Sequence, residues 1–203
     1  MFISFEGIDG SGKSTQARRL KDHLIKTGRN VVLTREPGGS PGAEDIRKLV
    51  LEGDPDRWSP ETELLLFTAA RRDHLERTIR PALEAGLGVI CDRFVDSTRM
   101  YQGLRGAGLR AMVDQLHDLM IAQEPDLTVL VDMDPEVGLA RALGRQGGEE
   151  RFEQFGLTLQ QQLRAGFLQL AEAAPERFVV IDGARDEDTV AQEIAGIVTS
   201  RLP

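Results

Sequence analysis

Cysteine occurs once in this 203-residue chain, asparagine once and histidine three times, and basic residues are outnumbered by acidic ones. Each scarcity closes a class of function. The lone Cys91 admits no disulfide within the chain, which suits a reducing compartment. Set in the apolar run Gly88 to Asp92, it reads as a small buried strand residue. Lys and Arg total 25 against 33 Asp and Glu, for a formal net charge of -8, so neither nucleic acid nor an anionic membrane is expected as the main partner. An anionic ligand must instead be met by a local cluster of Arg and Lys. No stretch approaches the ~20 apolar residues of a membrane span. His23, His74 and His117 lie in helical segments with no carboxylate or cysteine at ligand spacing, so packing or surface positions are expected for all three. There is no repeat or low-complexity tract, and the length suits a single domain, residues 1–203.

What is present is concentrated in Gly7-Ile8-Asp9-Gly10-Ser11-Gly12-Lys13-Ser14. This stretch follows an alternating apolar run, Met1 to Phe5, and precedes a segment of helical spacing. Strand, glycine-rich turn and helix are the context in which a G-x-x-x-x-G-K-[ST] pattern cradles phosphate. Gly7, Gly10 and Gly12 allow φ > 0, so that backbone N–H groups can close around phosphate oxygens. The helix N-terminus near Lys13 adds unpaired N–H groups and a positive dipole end. Lys13 is placed for the β/γ phosphates and the Ser14 hydroxyl for Mg²⁺. Because the loop begins at residue 7, no cleaved signal is expected and the chain is expected in the cytoplasm.

Beyond the loop, Ala17, Leu20, Leu24 and Ile25 predict a helix over 13–26 ended by Gly28, and Asn30 to Thr34 a second strand. A short helix is expected over 43–51. Ser59-Pro60-Glu61 starts a long helix that reaches about Arg80, where Pro81 interrupts or kinks it. Leu87–Cys91, Leu127–Val131 and Phe178–Ile181 read as further strands. Helices are expected over 94–102, 109–121, 136–143, 157–173 and 190–202. Strands alternating with helices predict an α/β three-layer sandwich around a five-stranded parallel sheet. Ligands in such sheets sit beyond the carboxyl ends of the strands, where Gly7, Arg35, Asp92 and Asp132 fall.

Asp92-Arg93, at the end of an apolar strand, can serve a magnesium–phosphate centre, with Arg on phosphate and Asp on metal-bound water. Phe67 and Arg71 share a helix face. As a pair they fit a base-stacking ring beside a phosphate-binding charge, and Phe67 alone fits the core equally well. Ser97 and Tyr101 have the same spacing, with Gln102 adjacent, whose amide offers a donor and an acceptor suited to a pyrimidine edge. Arg141 and Arg145 stand one turn apart and Arg151 lies beyond the polar, glycine-bearing stretch Gly144 to Glu150, a basic loop that fits a lid over phosphates at about 144–155. A GTPase switch is excluded, since Asn30 is followed by Val31 and the N-K-x-D motif is absent.

Together these stretches resemble the bacterial thymidylate kinases, over nearly the whole chain. The matching segments are Phe5–Thr15, Thr34-Arg-Glu-Pro-Gly-Gly39, Glu63–Arg71, Asp92-Arg-Phe94 with Ser97, Tyr101 and Gln102, and Asp132–Leu139. The resemblance implies the P-loop NTP hydrolase type of fold and MgATP-dependent phosphorylation of dTMP to dTDP by a homodimer. It implies a donor-nucleotide loop of Gly7, Ile8, Asp9, Gly10, Ser11, Gly12, Lys13, Ser14 and Thr15. It places Asp9 on the acceptor's 3′-hydroxyl, Phe67 against thymine, and Arg71 and Gln102 on the base edge. Arg93 falls on the acceptor phosphate, Tyr101 at the sugar's 2′ position, and Glu36 and Ser97 within the acceptor site. Lys13, Asp92 and Arg93 fall in the catalytic group, with Ser14 and Asp92 toward Mg²⁺. The loop lacks the arginine that eukaryotic members carry between Asp9 and Lys13, so Arg145 and Arg151 of the lid inherit the catalytic arginine positions. The acceptor phosphate is already an anionic nucleophile at neutral pH, with a second pKa near ~6, so no general base is required. Another monophosphate or deoxynucleoside kinase, or a nucleotide-binding partner without turnover, are the competing readings.

Overall fold

The computed structural model describes residues 1–54, 56–144 and 156–201. Five parallel strands, β1 (Phe2–Glu6), β2 (Val31–Arg35), β3 (Gly88–Asp92), β4 (Leu127–Asp132) and β5 (Phe178–Asp182), form one sheet in the order β2-β3-β1-β4-β5. β1 is central and buried along its whole length. Its period-2 alternation divides its side chains between two cores. Ile3 and Phe5, with Leu127, Val129 and Val131 of β4, pack against α1 (Lys13–Lys26) and the closing helix α9 (Glu187–Arg201). Phe2, with Val89 and Cys91 of β3, packs on the other side against α3 (Pro60–His74) and α6 (Leu109–Met120). Further along that side, Leu130, Leu163, Phe167 and Phe178 bring in α8 (Gly156–Ala173). Helices therefore cover both faces of the sheet, as continuous apolar parallel strands require.

The remaining helices are α2 (Pro41–Leu51), α4 (Arg80–Glu84), α5 (Val95–Tyr101) and α7 (Pro135–Leu143). α7 is started by Asp134, whose carboxylate accepts from the Glu136 and Val137 N–H groups, with Pro135 at the first turn. The long helix expected to be interrupted or kinked at Pro81 changes form one turn earlier. α3 ends at His74, a π-helical turn spans Leu75–Ile79, and α4 runs through Pro81 to Glu84. Proline is tolerated because it falls in the first turn of the new helix, where its missing N–H would be unpaired in any case. The inserted turn also keeps Leu75 and Ile79 fully buried.

Candidate active site

The strands end at Glu6, Arg35, Asp92, Asp132 and Asp182, and the loop from Gly7 to Gly12 leaves the central one. Its glycines take φ values of 138° (Gly7), 74° (Gly10) and 98° (Gly12). At Gly10 the requirement is spatial as well as torsional, since a Cβ there would lie 2.0 Å from the Gly138 carbonyl oxygen of α7. Two glycines thus let the loop and α7 meet backbone to backbone. Lys13, at the start of α1, is buried and donates to the Ile8 carbonyl at 2.6 Å.

On one side of this loop lies a cleft walled by both apolar and charged side chains. Asp9, Glu36, Phe67, Arg71, Arg93, Ser97, Tyr101 and Gln102 all line it. They come from the loop, the residue after β2, α3, the β3–α5 junction and α5 with its C-terminal cap, and every residue expected at the acceptor is among them.

Two charged centres organise the cleft. The first is Arg93, held in the left-handed region at φ 70°, a conformation a non-glycine side chain keeps only where its surroundings enforce it. Its guanidinium ion-pairs with Asp9, donates to the Gly7 carbonyl at 3.2 Å, to Ser97 Oγ at 2.9 Å and to Tyr101 Oη at 3.2 Å. Tyr101 Oη donates in turn to Asp9 Oδ2 at 2.9 Å. Burial alone would raise the Asp9 pKa, but Arg93 and Lys13 outweigh it and hold the carboxylate below its ordinary value. The second centre is Arg71, buried on α3. It donates to Glu36 Oε2 at 2.7 Å, to Thr98 Oγ1 at 2.9 Å and to the Phe94 carbonyl at 3.2 Å. The Glu36–Pro37 peptide bond is cis.

Asp92 stands apart from this group. Although adjacent to Arg93 in sequence, it lines a different cleft, with Ser14, Thr34, Arg35 and Glu44. Ser14 and Asp92 there form a hydroxyl–carboxylate oxygen set, the hard donors that Mg²⁺ takes. The residues fit such an ion. A third cleft opens beyond the loop, lined by Ser11, Gln16, Arg141, Gly183 and Arg185. Ser11 Oγ and Gln16 Oε1 are buried with no hydrogen-bond partner among the described residues. One further cluster of possible metal-binding atoms occurs among the described residues, Glu36, His74 and Cys91. It is committed elsewhere: Glu36 to Arg71 and His74, His74 Nε2 to Thr34 at 2.7 Å, and a thiol that burial and Glu36 push well above its usual pKa. Arg145 and Arg151 lie outside the described residues, as does the expected lid apart from Gly144.

Sequence patterns missed several supports of the cleft. Glu6, fully buried, accepts from Ser97 Oγ at 2.6 Å and from the Phe94 N–H at 2.7 Å. Burial, then the nearby Asp96 charge, raise its pKa to about 7. A polar residue closing an apolar strand is the one local sign of it. Gln160 of α8 holds Asp9 twice, donating to Oδ2 at 3.2 Å and accepting from its N–H at 3.3 Å. His74 proves buried, as packing required, but it also holds Glu36 Oε1 at 3.0 Å.

The thymidylate kinase family model matches residues 5–194. The chain is 71% identical to the thymidylate kinase of Ruegeria pomeroyi, over 100% of this chain and 96% of that one. It is 69% identical to that of Dinoroseobacter shibae, over 97% and 95%. Among solved structures, the thymidylate kinase of Ehrlichia chaffeensis superposes with a TM-score of 0.79 at 37% identity, covering 98% of each chain. The fold is accordingly that of the P-loop kinases, and the chain belongs to the thymidylate kinase family.

Proposed function

We propose that this chain transfers the terminal phosphoryl group of ATP to the 5′-phosphate of dTMP, giving dTDP and ADP. One observation carries the reading: the cleft bearing Phe67, Arg71, Arg93 and Gln102 and the cleft bearing Ser11 and Arg141 both border the loop from Gly7 to Gly12. A donor in the second and an acceptor in the first would meet at Lys13, which is the end-to-end arrangement an in-line displacement needs.

In this reading Phe67 stacks on thymine, Arg71 and Gln102 bond its edge, and Tyr101 occupies the space of a 2′-hydroxyl. Asp9 takes the 3′-hydroxyl, and Glu36 and Ser97 hold Arg71 and Arg93 in place. Arg93 holds the acceptor phosphate. Residues Gly7 to Thr15 hold the donor phosphates through backbone N–H groups, Lys13 and Ser14. Loose phosphoryl transfer is catalysed by position and charge cancellation, which Lys13 and Arg93 supply, joined by Arg145 and Arg151. Ser14 and Asp92 would hold Mg²⁺, which neutralises phosphate charge. No side chain need remove a proton, because the acceptor phosphate is already anionic.

The chain acts as one kinase domain over 1–203, with a lid at about 144–155 that excludes water. It works in the cytoplasm on nucleotides, with no nucleic-acid or membrane partner. No helix among the described residues is long and apolar enough to cross a membrane. Exposed Leu65 of α3 and Met112 and Leu119 of α6 lie on neighbouring helices and support a homodimer packed through them. An assay of ADP formation across monophosphate acceptors tests the activity. The fastest turnover is expected with dTMP; no ADP, or faster turnover of dUMP, dCMP or a free nucleoside, overturns it.

A further inference from the structure

Glu63 lies on α3 one turn before Phe67 and is fully buried. Its carboxylate accepts from Gln102 Nε2 at 3.0 Å and, in an ion pair, from Arg105 Nη1 at 2.9 Å. Gln102 is also fully buried and lines the cleft, and its Oε1 has no hydrogen-bond partner among the described residues. A side-chain amide can present either end, two donors on nitrogen or two lone pairs on oxygen. Which end faces a ligand depends on what holds the other. A carboxylate paired with Arg105 only accepts, so it takes the NH₂ end and leaves the oxygen bare. Turning the amide over would set two acceptors against each other in a buried site, a penalty that low dielectric enlarges.

We propose that Glu63 sets base selectivity: by fixing the amide of Gln102 with its oxygen free, it makes the cleft demand a nucleobase with an N–H donor on its pairing edge. Thymine and uracil have that donor at N3, whereas cytosine has an acceptor there. The inference rests on the reading that the acceptor nucleotide occupies this cleft. Glu63 is then a positioning residue that acts through Gln102. Glu63→Gln keeps the shape but supplies both donor and acceptor, so the Gln102 amide can face either way.

The test is kcat/KM for dTMP, dUMP and dCMP with ATP, measured on the full chain, on Glu63→Gln, and on Glu63→Gln combined with Gln102→Glu. The unaltered enzyme should favour dTMP and dUMP over dCMP. Glu63→Gln should lower the dTMP-to-dCMP ratio roughly tenfold, mainly through KM for dTMP, the size expected for losing one enforced buried hydrogen bond. Arg71, a donor that suits thymine O4, keeps the ratio above one. The double variant should restore the ratio, since the carboxylate introduced at 102 accepts from both the new amide and the base. An unchanged ratio in Glu63→Gln would overturn the inference and leave the reading of the cleft intact. So would a fall that follows the melting temperature and is not restored by the double variant. An unaltered enzyme that ignores dTMP or favours dCMP would overturn both.

Discussion

Lys13 bonds the Ile8 carbonyl from a buried position at the head of α1, so its ammonium is held inside the loop before any phosphate arrives. Lys13→Ala should lower kcat by about 10²–10³ or more, the range seen when one preorganised charge donor is removed, with little change in melting temperature. Near-normal kcat would remove Lys13 from the reaction. Phe67 distinguishes stacking from packing, because it lines the cleft while belonging to a core cluster. Phe67→Ala should raise KM for dTMP by about 1–3 kcal/mol equivalent of stacking and leave KM for ATP nearly unchanged; equal effects on both would mean general core damage. Glu6 gives a pH signature. Its pKa stands at about 7 in the fold against an ordinary 4.5, so between these values the native state holds a proton that the unfolded chain has released. Stability from this group is present below pH 4.5 and lost as pH rises toward 7, a difference of roughly 3 kcal/mol. Glu6→Gln cannot ionise. Denaturant titrations at several pH values should show the unaltered chain losing stability relative to Glu6→Gln across that window, and parallel curves would contradict the assignment. The positions of Lys13 and Arg93 at a helix start and a strand end were legible from local spacing, whereas spacing left Phe67 open between core and cleft. Glu6 and Gln160 were not legible, because they act through partners 91 and 151 positions away, which no local period encodes.

Among the elements, the strand and helix order followed directly from alternation and 3.6-residue spacing, and the departures have local causes. β2 runs one residue further, to Arg35, since a parallel register pairs Arg35 with Asp92. α2 begins at Pro41 after Ser40, whose hydroxyl is given to Asp73. The π-helical turn before Pro81 has no signature in apolar spacing, which shows only that Leu75 and Ile79 must face inward. The junction of the loop with α7 can be tested alone. A Cβ at Gly138 would lie 2.7 Å from the Asp9 carbonyl oxygen and 2.9 Å from Ile8 Cδ1. Gly138→Ala gains up to ~1 kcal/mol of helix propensity and loses ~1–3 kcal/mol to overpacking, so clash should win. Denaturant titration should report a net loss, and kinetics a poorer turnover, since the displaced backbone is that of Asp9. A stabilised, fully active variant would show that the loop yields there without consequence.

At the scale of the whole molecule, a member of this family with net charge -8 handles two anionic nucleotides, and in the proposed reading Lys13, Arg71 and Arg93 meet their charge at one rim. Composition gave the need for such a cluster; only the parallel sheet shows where the cluster stands. The exposed Leu65 and Leu119 supply a second whole-molecule test. Sedimentation of the unaltered chain should give twice the chain mass, and Leu119→Glu should shift it toward monomer; a monomeric unaltered chain would contradict the homodimer. The central claim is that two nucleotides meet end to end across the loop from Gly7 to Gly12. A crystal structure with thymidine and adenosine joined through a phosphate chain measures this directly. The account expects thymine against Phe67, phosphates along Gly7 to Thr15 and adenosine beside Ser11, Arg141 and Gly183. Thymine lodged in the Ser11 cleft, or a phosphate chain that does not reach Lys13, would contradict it.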